Sequence, residues 1–275
     1  MEHSHVRDNR HRTATGFTLI ELLVVVSIIG LLVAILLPSL RRARDQGKMA
    51  ACAANLHQIG TAIHAYASEY NGYIPRGPDP AHPFDFGSNI LATNQIWIGT
   101  GAPGPPASHP LQYNALGQLL RSTITDARVL FCPADDNFNL QEESPRIGTE
   151  ADAYGSYLYR QLDHLPADAA TGRLDRMGSN VIGGQPVPVE TLALDANSLG
   201  EGLFHHTNHL GRTANILFRD SSVRAFDNRR GLFAIPAAAF DNLANLPTAL
   251  DQILTNADYA YRGPPGDAPH VATGP

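Results

Sequence analysis

Several clusters of residues in this 275-residue chain could do chemistry. In His205-His206-Thr207-Asn208-His209, two imidazoles four residues apart would share one face of a helix, as zinc ligands do. Asn208 and Gly211 point to a turn instead, and no Cys or Glu completes a ligand set, so zinc is disfavoured. Asp135-Asp136-Asn137-Phe138-Asn139 offers oxygen ligands at alternating spacing. The EF-hand pattern fails there, because Leu140 stands at the required glycine and Arg146 at the bidentate glutamate. Gly99-Thr100-Gly101-Ala102-Pro103-Gly104 has dinucleotide-binding spacing. Pro103, Pro105 and Pro106 cannot donate N–H groups to a pyrophosphate, and no helix follows. Catalytic elbows, metalloprotease helices and P-loops do not occur in the sequence. An enzyme is not expected.

Composition excludes further classes. The chain is 43% hydrophobic and 17% charged, too apolar for a disordered protein. Twenty Lys and Arg against 26 Asp and Glu leave a net charge of −6, without the cationic excess that phosphate binding needs, so no nucleic-acid partner is expected. Two cysteines exclude a four-cysteine zinc site and leave room for one bridge.

The elements that must carry these residues begin with an apolar run. Residues 17–40 contain one charged side chain, Glu21. As a helix the run is about 36 Å long, enough to cross a hydrocarbon core of about 30 Å. It is too long for a secretory signal and ends in no small-residue cleavage site. Flanking charge leaves orientation open: Arg7, Arg10 and Arg12 precede it, and Arg41, Arg42, Arg44 and Lys48 follow. Met49, Cys52, Leu56, Ile59, Ile63, Tyr66 and Tyr70 then repeat at 3-4 spacing, an apolar helical stripe that reaches a stop at Asn71-Gly72. Docking on a globular head explains this stripe better than a coiled coil, since no charged e/g pattern accompanies it. Residues 72–110 read as long loops. Short strands are expected at 128–132, 155–160, 191–195, 214–219 and 222–226, the last two joined by a turn at Asp220-Ser221. Helices are expected at 111–121 and 236–257, the latter interrupted at Pro247. The fold class is therefore α+β: a long N-terminal helix, its first half transmembrane, packed on an antiparallel β-sheet head.

The stretch Gly16-Phe17-Thr18-Leu19-Ile20-Glu21-Leu22-Leu23-Val24-Val25 resembles the signal of type IV pilins and type II secretion pseudopilins. The resemblance implies a pilin-like fold and a leader, 1–16, cut after Gly16 by a prepilin peptidase that also methylates Phe17. It implies a transmembrane helix over 17–40 continuing through 41–71 into a head over 72–261, with a disordered tail over 262–275. Pro38 matches the proline that bends the family's helix, and Glu21 matches its glutamate. When subunits stack, the amine of one could neutralise Glu21 of its neighbour; such a buried pair specifies geometry more than it stabilises. The family's leader stays cytoplasmic, which implies a single-pass inner-membrane protein with its head in the periplasm or outside the cell.

A second resemblance covers the head. Cys52 to Gly60, Phe131-Cys132-Pro133-Ala134-Asp135 and Gly155-Ser156-Tyr157 are similar to segments of planctomycete-type prepilin-like proteins with a C-terminal H-x9-DG motif. The motif is imperfect here: ten residues separate His209 from Asp220, and Ser221 replaces the glycine, which implies a different hairpin turn. The implied topology puts both thiols in an oxidising compartment, where Cys52 and Cys132 have only each other as intramolecular partners, so a Cys52–Cys132 disulfide is expected, with two buried free thiols as the alternative. Some major pseudopilins bind calcium in a loop of the head, so an irregular calcium loop at 135–139 stands beside the favoured solvated acidic loop; no other cofactor is expected. The reading is a structural subunit processed in the inner membrane. It would assemble with other pilin-like subunits, on a membrane platform, into a type II pseudopilus or a type IV pilus-like filament. The rival is a single-pass membrane protein with an outward ligand-binding or enzymatic head that does not polymerise.

Overall fold

The computed structural model describes residues 18–75, 92–99, 112–160, 173–182, 185–201, 205–242 and 245–262. The expected leader, Gly16, Phe17, the tail beyond Arg262 and the glycine-rich stretch beyond Gly99 lie outside the described residues. The chain divides into two compact units, Met1–Arg44 and Asp45–Pro275. Helix α1 (Leu19–Glu69) contributes to both. It stops where expected, because Asn71 (φ 55°) and Gly72 (φ 89°) turn left-handed and the Gly72 N–H donates to the Ala67 carbonyl at 2.7 Å.

In the second unit the elements follow as β1 (Ala92–Ile98), β2 (Gln112–Tyr113), α2 (Leu119–Ser122), α3 (Leu140–Glu143), β3 (Ala153–Arg160), β4 (Ser179–Ile182), β5 (Gln185–Pro188), β6 (Thr191–Asp195), β7 (Ser198–Leu199), β8 (His205–His206), β9 (Thr213–Phe218), β10 (Val223–Asp227), α4 (Ala238–Asp241) and α5 (Leu246–Arg262). Six strands make one sheet in the order β10-β9-β6-β3-β1-β2, every neighbouring pair antiparallel. Strands β4–β5 and β7–β8 form separate two-stranded ribbons.

The period-two alternation of side chains gives the sheet two apolar faces. Tyr157 and Tyr159 of β3 and Leu217 of β9 share one core with Cys52, Leu56, Ile59, Ala62, Ile63 and Ala67 of α1. Leu158, Leu194, Ile216 and Phe218 share the opposite core with Leu250, Ile253, Leu254 and Ala257 of α5. The α+β class and the helix-on-sheet packing expected of α1 are both observed, and α5 adds a third layer. Most of the predicted apolar stripe is buried, but Tyr66 is only partly covered and Tyr70 is 44% exposed.

Four local expectations are corrected. Residues 128–132 are not a strand: a 3-10 turn runs Ala127–Leu130, because Asp126 accepts the Arg128 N–H and binds its guanidinium, closing the backbone into a turn. The 72–110 segment is not all loop, since it contains β1; Asn94, Gln95 and two register shifts hide its alternation. Residues 111–121 are not one helix but a two-residue strand, a 3-10 turn and α2. Gly117 lies so close to Ile96 that an added Cβ would collide with its carbonyl oxygen. In 236–257 the interruption falls between α4 and α5, not at Pro247, which sits in the first turn of α5 where its missing N–H costs nothing. Strands β4, β5, β7 and β8 had no counterpart in the sequence reading. The hairpin joining β9 and β10 keeps a left-handed residue despite lacking the glycine: Ser221 takes φ 63°.

One buried ion pair ties α5 to the sheet. Arg160 and Asp258 meet at 2.8 Å with side chains 1% and 0% exposed, and Asp258 also accepts the N–H groups of Glu190 and Thr191. Removing one partner leaves an uncompensated buried charge. Asp258→Ala should therefore lower head stability by about 3–5 kcal/mol, read as a fall in thermal and urea midpoints.

Candidate functional site

The first half of α1 presents its apolar side chains outward. Leu19 to Leu40 are between 45% and 86% exposed at every large hydrophobic position. The helix is long and apolar enough to cross a membrane. Its few polar groups are satisfied locally: Ser27 Oγ donates to the Leu23 carbonyl at 2.7 Å and Ser39 Oγ to that of Leu36 at 2.8 Å. The backbone continues through Pro38 as helix.

Glu21 is held at the start of this helix. The Thr18 N–H and hydroxyl donate to Glu21 Oε2 at 2.9 and 2.8 Å, and Thr18 Oγ1 accepts the Glu21 N–H at 3.2 Å. This is a capping box, Thr-x-x-Glu, and it satisfies N–H groups that the first helical turn otherwise leaves without partners. The sequence reading assigned Glu21 to a neighbouring subunit and missed this local role, although Thr18 three residues ahead was the signal for it.

Residues 11–37 match the model of the family described as the prokaryotic N-terminal methylation motif. The chain is type IV pilin/pseudopilin-like. It is 41% identical over 58 residues to the type IV major pilin protein PilA of Myxococcus xanthus, covering 21% of this chain and 26% of the relative. It is 40% identical over 62 residues to the type IV wide pilus major component PilA4 of Thermus thermophilus, covering 22% and 47%. To the type II secretion system core protein G of Pseudomonas aeruginosa it is 34% identical over 64 residues, covering 23% and 45%. The similarity thus spans between about a quarter and about half of each relative. No solved structure matches the chain.

The head of this pilin-like chain gathers its remaining chemistry around one bond. Cys52 and Cys132 form a disulfide with Cα atoms 5.1 Å apart. Asn55 Nδ2 donates to the Phe131 carbonyl at 2.9 Å, and Tyr157 Oη reaches the Cys52 carbonyl at 3.5 Å. The three segments that carry the second resemblance therefore converge here, from α1, the loop before α3, and β3.

The acidic run and the histidine cluster, distant in sequence, are stitched together beside that bond. Asp135 Oδ1 accepts the N–H groups of Asn137 and Phe138 at 2.9 Å, and its Oδ2 lies 3.3 Å from His206 Nε2. Asp136 accepts the Thr207 N–H at 2.6 Å together with its hydroxyl. Most of the oxygens considered for calcium thus meet protein partners. His205 and His209 do not share a helical face: His205 is in β8, and His209 begins a left-handed turn in which His209, Leu210 and Gly211 have φ 53°, 57° and 66°. His209 Nε2 lies 3.1 Å from Asn215 Nδ2, 3.4 Å from Asp195 Oδ2 and 3.6 Å from Cys132 Sγ. Asp220, the aspartate of the imperfect motif, accepts the Ser222 N–H and the Tyr261 hydroxyl, at 2.9 and 3.0 Å. Asp195 escaped the sequence reading because nothing in a strand residue's neighbours signals what it faces.

Burial sets the protonation of the Asp195–His209 pair. It raises the Asp195 carboxyl to about 7, against the pull of the Asn215 donors. It lowers the His209 imidazole to about 4, helped by the Lys48 cation. For Asp195, raised from 3.8, the stabilising contribution is complete below about 4 and lost as pH rises through about 7. For His209, lowered from 6.5, the contribution is complete above about 6.5 and lost as pH falls through about 4. Between about pH 4 and 6.5 the two slopes oppose one another. Asp195→Asn removes one of them, so in urea melts across that window the variant's stability should rise with pH relative to the parent's, by up to about 1.4 kcal/mol per unit; the other buried groups act alike in both.

Proposed function

We propose that this chain is a structural, non-enzymatic subunit of a type II pseudopilus or type IV pilus-like filament. In this reading prepilin peptidase cuts after Gly16 and methylates Phe17, and residues 17–40 anchor the subunit once across the inner membrane. The head faces outward, and copies join other pilin-like subunits on a membrane assembly platform. The observation that carries the reading is an exposed apolar helix with one carboxylate, Glu21, inside the matched methylation motif. A carboxylate in lipid needs a partner, and the amine freed at Phe17 is of the right charge and four residues away. Relatives named for type IV pili and for a type II secretion system both match, which supports a subunit of one of those two assemblies.

A non-polymerising membrane protein is the second reading. The Thr18–Glu21 capping box favours it, since it gives Glu21 a use that requires no neighbour.

Mass spectrometry of membrane fractions should find N-methyl-Phe17 as the mature terminus. Gly16→Val should retain the leader, because a β-branched side chain crowds the scissile peptide. An intact Met1 in cells that contain the peptidase would overturn the processing step.

Glu21→Gln separates the two readings, because glutamine keeps the capping box but carries no charge. If the charge sets register between subunits, Glu21→Gln should insert normally yet lower sheared filament yield about tenfold or more. Tenfold corresponds to about 1.4 kcal/mol, less than the 3–5 kcal/mol that breaking a buried pair costs. Equal yields for parent and variant would favour the capping role alone.

A further inference from the structure

Beside the disulfide, the Cys52 and Cys132 sulfurs and an imidazole nitrogen of His209 all lie within 4.8 Å of one another. The separations have a chemical meaning. Tetrahedral zinc with bonds of about 2.3 Å to sulfur and about 2.0–2.2 Å to nitrogen and oxygen sets N···S edges near ~3.6 Å and N···O edges near ~3.4 Å. In the head, His209 Nε2 stands 3.6 Å from Cys132 Sγ and 3.4 Å from Asp195 Oδ2. Two edges of a tetrahedron are therefore already in place around the bond.

A further observation points to a cation. Asp195 is completely buried, and its second oxygen, Oδ1, has no hydrogen-bond partner in a region where an unpaired carboxylate oxygen is costly. His209 presents Nε2 toward the sulfurs, the atom a ligand would use. The left-handed turn at His209 and Leu210, a conformation side chains seldom adopt, places the ring there.

We propose that the Cys52–Cys132 staple has a second form, in which Cys52, Cys132, His209 and Asp195 bind a zinc-class divalent cation in place of the disulfide. A dithiol reductant opens the bond: the dithiol is oxidised to its own disulfide, and two electrons and two protons pass to Cys52 and Cys132. The metal ion then displaces the two thiol protons to solvent. The sulfurs move apart from about 2.05 Å to about 3.8 Å, a change that side-chain rotation supplies across Cα atoms 5.1 Å apart. The helix and the loop before α3 thus stay joined under reducing as well as oxidising conditions. The ligand set was invisible in the sequence because its four members sit at positions 52, 132, 195 and 209, in four separate segments.

The test uses the full-length chain in detergent, reduced, freed of reductant under anaerobic conditions and titrated with Co2+. One equivalent should bind with tetrahedral ligand-field absorption and thiolate-to-cobalt charge transfer, and Zn2+ should displace it. The oxidised chain should give neither signal. His209→Gln keeps an acceptor for Asn215 but offers a poor ligand, and should weaken Co2+ binding at least tenfold while its oxidised form still closes the disulfide. A featureless titration of the reduced chain would overturn the proposal. So would equal affinity in parent and variant, because thiols of an unfolded chain would bind cobalt without regard to His209.

Discussion

The head is organised by the contact between α1 and the sheet. Seven α1 residues from Cys52 to Ala67 are buried, and the sheet is built against them. The approach is close: an added Cβ on Gly60 would lie 2.8 Å from Leu217 Cδ1 of β9. The disulfide pins one end of this contact across 80 residues of chain. In the chain-entropy account, closing such a loop removes about 4–4.5 kcal/mol of freedom from the unfolded state. Tyr157, whose hydroxyl reaches the Cys52 carbonyl, extends the same junction into the central strand β3. With α1 in place the sheet has one covered face, and α5 then covers the other.

What could be read in the sequence was what repeats or what is contiguous. The apolar run, the stripe from Cys52 onward and the stop at Asn71-Gly72 all follow from helical period and glycine chemistry, and each is visible in a few neighbouring residues. Strands β3, β6, β9 and β10 could be read for the same reason. Strand β1 could not, because its polar residues and bulges break the alternation that identifies a strand. The 3-10 turn at Ala127–Leu130 was misread because the apolar residues there imitate a strand, while one carboxylate, Asp126, decides the backbone. The polar junction was least legible. Asp135, His206, Asp195 and His209 are paired only by the fold, and no local pattern in any one segment announces the others.

That junction gives the head a polar, titratable interior. Two carboxylate–imidazole pairs lie side by side, each buried, between the acidic run and the histidine cluster. Burial alone would neutralise each member by moving its protonation in opposite directions, the acid upward and the base downward. The facing atoms stand 3.3 and 3.4 Å apart, and the backbone N–H groups of Asn137, Phe138 and Asn215 fix the two carboxylates in place. Their side chains in turn hold the loop before α3 against β6 and β9.

The edges of the sheet have a consequence for crowding. One edge strand, β2, is two residues long. The other, β10, carries Arg224 and Asp227 exposed, and Arg224 folds over the Tyr261 ring at 4.9 Å while donating to the Tyr261 carbonyl at 2.9 Å. Short or charged edges resist templated strand addition. Copies of this head held at high local density would therefore remain separate folding units, without recruiting one another into a shared sheet. Contact between them would rest on side chains, which can be made and released without unpicking a strand.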